Sequence, residues 1–159
     1  MKLSVRLAYL ACAAVVSVPG SRAQNRPPAT PLITHNPYFS VWSNTDKLSD
    51  SPTRHWTGHP QPLTGLVRID AKCFRIMGGD PRLVPALEQT SLVVTPMHTR
   101  YTFQGHGVNI EFSFFTPAFL NDLDLLSRPV TYLTWVAHST DGAAHAVEVL
   151  LVAGAEMAS

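Results

Sequence analysis

From Gly65 onward apolar and polar side chains alternate with a period of two, the pattern that extended strands impose. The clearest run is Val108 to Phe115: Val108, Ile110, Phe112 and Phe114 share one face, while Asn109, Glu111 and Ser113 share the other. That predicts a half-buried strand with its apolar face toward a core. Leu66 to Asp70 and Lys72 to Met77 predict a hairpin, with Val67 and Ile69 on the same side as Phe74 and Ile76 after a tight reversal at Asp70 and Ala71. Gly78 to Pro85 reads as a turn-rich connection. Glu88 to Thr95 and Thr99 to Gln104 predict two more strands, the second joined to Val108–Phe115 through Gly105, His106 and Gly107. Val130 to His138 and His145 to Val152 predict a closing hairpin about Asp141 and Gly142. The first of that pair is apolar on both faces, which predicts a central strand.

Elsewhere the pattern is weaker. Pro27, Pro28, Pro31 and Pro37 exclude a helix or a central strand over 24–37 and predict an extended arm lying on a body found elsewhere in the chain. Tyr38 to Ser43 reads as a short strand. Asn44 to Pro62 has the Ser, Asp, Pro, Thr and His composition of a loop, with Leu48 and Trp56 as its apolar bulk. A loop of that length inside a compact domain is uncommon unless it has a task. Pro117 to Arg128 predicts an irregular crossover with one helical turn, ended by Pro129. Strands separated by turn signals, with no amphipathic helix of any length, predict an all-β protein: an antiparallel β-sandwich over 65–159 preceded by an extended arm and loop over 24–64.

The first residues change what counts as the mature chain. Lys2 and Arg6 precede an apolar run from Leu7 to Val18, then Pro19, Gly20 and the small-residue pattern Ser21, Arg22, Ala23. This predicts a signal peptide over 1–23, removed after Ala23, and hence a secreted or periplasmic protein. The run is too short to cross a bilayer, which takes about 20 apolar residues, so no membrane association is expected after cleavage. Cleavage of the first 23 of 159 residues leaves 136, with nine basic against eleven acidic side chains and a net charge of −2. That balance supports no nucleic-acid partner. Cys12 leaves with the signal and Cys73 remains, so no internal disulfide forms, and Cys73 in its strand is expected to be a small buried apolar residue.

Candidate chemistry is sparse. The seven histidines raise a metal hypothesis, and His55 with His59 has the spacing of two ligands on one helix face. Trp56, Thr57, Gly58 and Pro60 argue against that helix, and no Cys or carboxylate lies at ligand spacing nearby, so neither metal nor cofactor is expected. His98, His106, His138 and His145 sit at strand ends or turns, where solvated roles suffice. Glycoside cleavage needs two carboxylates about 5 to 9.5 Å apart across a cleft, but Asp122, Asp124 and Glu111 all read as turn or surface residues. The segment that does gather functional side chains is Thr34 to Gly65. There His35, Tyr38, Trp42, Arg54, His55 and Trp56 crowd a stretch without core-forming period, and exposed aromatic and Arg planes bind sugars, amides or a partner domain. The plainer alternative is that Trp42 and Trp56 cap the edge of the sandwich.

Five stretches resemble the glutaminase A family: PLITHNPYFSVWS (31–43), RHWTG (54–58), LTGLVRIDAKCFRIMG (63–78), ALEQTS (86–91) and DLDLLSRPVTYLTW (122–135). The resemblance implies an N-terminal β-sandwich followed by a helical toroid of the six-hairpin glycosidase type, with the catalytic residues in the toroid. The activity it implies is hydrolysis of L-glutamine to L-glutamate and ammonia. It further implies that this chain corresponds to the front piece, that its partner is the missing C-terminal helical domain, and that it is a fragment. Two positions depart from the family pattern. Ala71 stands where the family commonly has glycine in the first hairpin, implying a different turn, and Val152 stands where an acidic residue is expected. A different class of function also fits these residues: a secreted carbohydrate-binding or accessory module of a glycosidase-like protein, taking a small-molecule or glycan ligand through Trp42 and Trp56.

Overall fold

The computed structural model describes residues 28–158, and the signal expected over 1–23 lies outside them. The chain is all-β, with antiparallel sheets. Its strands are β1 (Thr30–Asn36), β2 (Phe39–Ser43), β3 (Leu63–Ile69), β4 (Lys72–Met77), β5 (Glu88–Val94), β6 (His98–Gly105), β7 (Val108–Phe115), β8 (Tyr132–Ser139) and β9 (Val147–Ala153). A single helical turn, α1 (Leu123–Leu126), lies in the predicted crossover, capped by the Asp122 carboxylate accepting from the Leu125 N–H. A 3₁₀ turn, Ala155–Ala158, follows β9.

Three sheets form: β1-β2, β4-β3-β9 and β5-β6-β7-β8. The second and third face each other across one core. Val67, Ile69, Phe74 and Ile76 from one layer meet Tyr101, Phe103, Val108, Ile110, Phe112 and Phe114 from the other. The alternation read from Val108 to Phe114 and from Val67 to Ile76 is therefore the core itself. Phe112 and Phe114 meet edge-on, with ring centroids 4.8 Å apart, and a fully buried ring of this kind contributes about 1.5–3 kcal/mol. Leu32, Ile33, Val41 and Leu48 join the same buried cluster, so β1, β2 and the loop after them are packed onto the sandwich.

Turn chemistry explains the hairpins. His106 (φ 52°) and Gly107 (φ 73°) both take left-handed backbone between β6 and β7, the two-residue reversal whose twist suits adjacent antiparallel strands. Between β3 and β4 Asp70 takes positive φ (56°) and Ala71 does not. The Asp-Ala turn thus differs from the two-left-handed-residue turn an Asp-Gly pair favours, in line with the expectation at Ala71.

Four expectations are corrected. Residues 30–36 of the predicted arm form β1, because Pro31 sits near the start of a strand at a sheet edge, opposite Trp42, beside a register shift that accommodates it. The arm does lie on the body: the Thr99 hydroxyl donates to the Pro31 carbonyl at 2.7 Å. Second, β8 and β9 do not form a hairpin but belong to opposite layers, β8 pairing with β7 and β9 with β3. The segment between them is strapped across both layers, with Thr140 N–H bonding Gly107 O while Ala146 and Asp70 exchange bonds, so Asp141–Gly142 arches from one sheet to the other. Third, β8 is an edge strand of its sheet and largely exposed, not central. Fourth, Cys73 is exposed, because it occupies the outward face of β4 opposite Arg68 while Phe74 and Ile76 take the inward one.

Candidate functional site

The β1–β2 turn and the loop that follows β2 build a groove. Asn36 closes the turn by accepting the Tyr38 and Phe39 N–H groups on its side-chain oxygen, each at 2.9 Å. Arg54 then adds to the small sheet, its backbone exchanging bonds with Trp42 at 2.7 and 3.0 Å, and reverses toward Pro60. This brings residues 54–58 over the β1–β2 turn. The result is an open groove of about 410 Å³ lined by Thr34, His35, Asn36, Pro37, Ser40, Trp42 and Trp56.

Three of the six predicted site residues, His35, Trp42 and Trp56, share its wall. His35 stacks flat on Phe39, 5.6 Å between centroids, and its Nε2 lies 3.2 Å from the Thr131 hydroxyl, tying the groove to the segment before β8. Burial lowers its pKa below the ordinary histidine value, favouring the neutral ring. Trp42 donates its indole N–H to the Ser40 hydroxyl. Trp56 donates its own to the Pro37 carbonyl at 2.8 Å and remains 60% exposed.

The other three stand outside the lining. His55 is buried beneath it, with Nε2 3.0 Å from the Pro37 carbonyl and Nδ1 2.7 Å from the Thr57 hydroxyl. A proton on Nε2 satisfies both contacts, since the carbonyl can only accept and the Thr57 N–H also points at Nδ1. Arg54 donates to the Gly58 carbonyl at 3.2 Å and closes its own loop. Tyr38 projects from the turn, 90% exposed. His55 and His59 share no helix: the His55 N–H donates to the His59 carbonyl across a tight reversal.

A second polar cluster escaped sequence reading. His145 Nδ1 lies 2.9 Å from Asp70 and Nε2 lies 3.1 Å from Asp141, joining the β3–β4 turn to the β8–β9 link. Asp70 also accepts the Ala146 N–H, and Asp141 accepts the Ala143 N–H. The Asp70 hydrogen bond, then that of Asp141, raises the His145 pKa. The His145 bond chiefly lowers Asp70, whereas the Ala143 N–H chiefly lowers Asp141. His145 is thus a ring held between two carboxylates that favour its protonated form, with only 13% of its side chain exposed, not a solvated ring. The one local signal was Asp141 four residues before His145; Asp70 lies 75 positions away. Among the described residues no group of three or more His, Cys, Asp or Glu could hold a metal ion. Glu111 pairs with Arg100 at 3.1 Å on the sheet surface.

The protein is thus a two-layer antiparallel sandwich with a small aromatic-walled sheet docked on it. Residues 7–87 match the family model described as Domain of unknown function (DUF4964), and the chain belongs to that family. Residues 97–159 match a second model, Domain of unknown function (DUF5127). Over 161 aligned residues the chain is 31% identical to Glutaminase A of Aspergillus oryzae, an alignment covering 94% of this chain and 23% of that protein. The chain is a glutaminase A homologue, as the resemblance in the sequence implied, and spans about a quarter of its relative's length. No solved structure matches it significantly.

Proposed function

We propose that this chain serves as the non-catalytic β-sandwich portion of a secreted glutaminase A-like amidohydrolase, whose parent protein converts L-glutamine to L-glutamate and ammonia. The observation that carries this reading is where the polar atoms of the groove go. Amide hydrolysis needs a base or nucleophile reaching the substrate and donors for the developing oxyanion. Here the Trp42 and Trp56 indole N–H groups go to Ser40 and Pro37 and His35 Nε2 meets the Thr131 hydroxyl, while beneath the lining both His55 nitrogens are held by Pro37 and Thr57. What faces outward is aromatic surface, Tyr38 and Trp56 above all, which suits contact with another body. The helical domain that the resemblance implies is the body it would position.

The reading is tested by grafting this chain into Aspergillus oryzae glutaminase A in place of the region it matches. The chimera should hydrolyse L-glutamine, and deletion of the grafted region should abolish or cripple that activity. Full activity after deletion would overturn the proposal.

The exposure of Trp56 beside Trp42 on one groove wall favours a second reading, a glycan-binding module. Retention of the isolated chain on insoluble glycans, lost in both Trp42→Ala and Trp56→Ala, would support it. No retention of the unaltered chain would remove it.

A further inference from the structure

The sandwich is closed on one side and open on the other. At the closed side, the outer edge of β4 is covered by backbone bonds between Arg75 and the 85–87 segment. The edge strand β5 carries Glu88 and a register shift, and its Gln89 side chain is held by Leu48 and Asp46. Charge, bulge and cover are the devices by which sheet edges are protected. At the open side, β8 and β9 run in unbroken register with β7 and β3, and among the described residues no strand pairs with their outer edges. Tyr132 to Ser139 contains no Lys, Arg, Asp or Glu, and the one charge in β9, Glu148, is engaged by Arg68.

The core shows the same asymmetry. Trp135 stands opposite Phe112, and Leu151 opposite Gly65, so both side chains point inward between the layers. Yet Trp135 is 47% exposed and Leu151 37%, against 1% for Phe112 and Val67. Outward on the same two strands, Val136, Leu150 and Val152 are exposed as well. Rows of unpaired peptide groups flanking an apolar mouth need a partner that offers both backbone hydrogen bonds and apolar side chains. A helix would leave the peptide groups unbonded, whereas two added strands supply both.

We infer that this mouth is closed by β-strands that extend both layers, one beside β8 and one beside β9. They are supplied by polypeptide of the same parent protein, whose relative carries more than three quarters of its length outside the matched region. The inference rests on the reading of this chain as part of a larger protein, and it names where the next piece joins: against Trp135, Leu151 and the two strand edges.

Hydrogen–deuterium exchange on the isolated chain and on the chimera described above tests it. The expected result is that β8 and β9 amides exchange at least ~10-fold more slowly in the chimera while β3, β6 and β7 change little. Equal β8 and β9 rates in a folded chimera would overturn the inference. So would slow β8 and β9 exchange in the isolated chain together with a dimer in sedimentation, which would identify a second copy as the occupant. Slowed edge exchange in a chimera that no longer hydrolyses L-glutamine would leave the strand pairing intact and remove the glutaminase reading. As a second probe, Trp135→Lys should lower the Tm of the chimera more than that of the isolated chain, and equal shifts would count against the inference.

Discussion

His145 has a carboxylate against each ring nitrogen, and that arrangement sets a pH dependence with a definite sign. A histidine whose folded pKa is raised contributes stability fully below its unfolded value, near 6.5, and loses it as pH climbs through the folded value. Asp70 and Asp141 are lowered, so their contribution is complete above 3.8 and fades as pH falls through their folded values. All three act together between those limits. Thermal melts should therefore show the highest Tm in mildly acidic solution with a decline toward alkaline pH, and His145→Gln should flatten that decline. An unchanged slope in the variant would contradict the clamp. Gly107 belongs to the same cluster: it takes φ +73°, and a Cβ there would run into the Asp141 carboxylate and the His145 ring. Gly107→Ala should cost about 1–3 kcal/mol, read as a lower denaturant midpoint. The sequence offered only the four-residue spacing of Asp141 and His145; Asp70 lies 75 positions from His145, and Gly107 belongs to yet another turn, so each reads alone as an ordinary turn residue.

The elements that sequence reading found are those in which one face is buried. Val108 to Phe115 and the hairpin of β3 with β4 announce themselves through alternation because a core enforces it. β1 was hidden by Pro31, which is acceptable at a sheet edge and uninformative about pairing. The pairing of β8 and β9 was misread because an Asp-Gly reversal looks alike whether it closes a hairpin or arches between layers. What distinguishes them is the bonding of Thr140 to Gly107 and of Ala146 to Asp70, invisible until both sheets exist. Three of the six site residues share one groove wall because β1 and β2 carry His35 and Trp42 and the backbone pairing of Arg54 with Trp42 brings Trp56 beside them. The loop carrying Trp56 is anchored by Leu48, fully buried, whose N–H bonds the Gln89 side chain and whose carbonyl accepts from Gly78. Leu48→Ala should cost about 2–5 kcal/mol in denaturant unfolding. A loss below ~1 kcal/mol would mean the loop is not part of the cooperative core.

For the whole molecule, the lopsided distribution of cover decides the account. One side of the sandwich has its edges charged, bulged or bonded; the other presents an uncharged strand edge, a second whose one charge is ion-paired, and inward-facing Trp135 and Leu151 half in water. The groove at the β1–β2 end has its hydrogen-bonding groups turned to holding its own shape. The proposed role, a scaffold that presents surfaces while chemistry resides elsewhere, would account for both features, and this chain covers 23% of the glutaminase A it resembles. The most direct test is ammonia release from L-glutamine by the purified, folded chain alone. The account predicts a rate indistinguishable from buffer; sustained release that falls in a His35→Ala variant would place a reaction centre within these residues and contradict it.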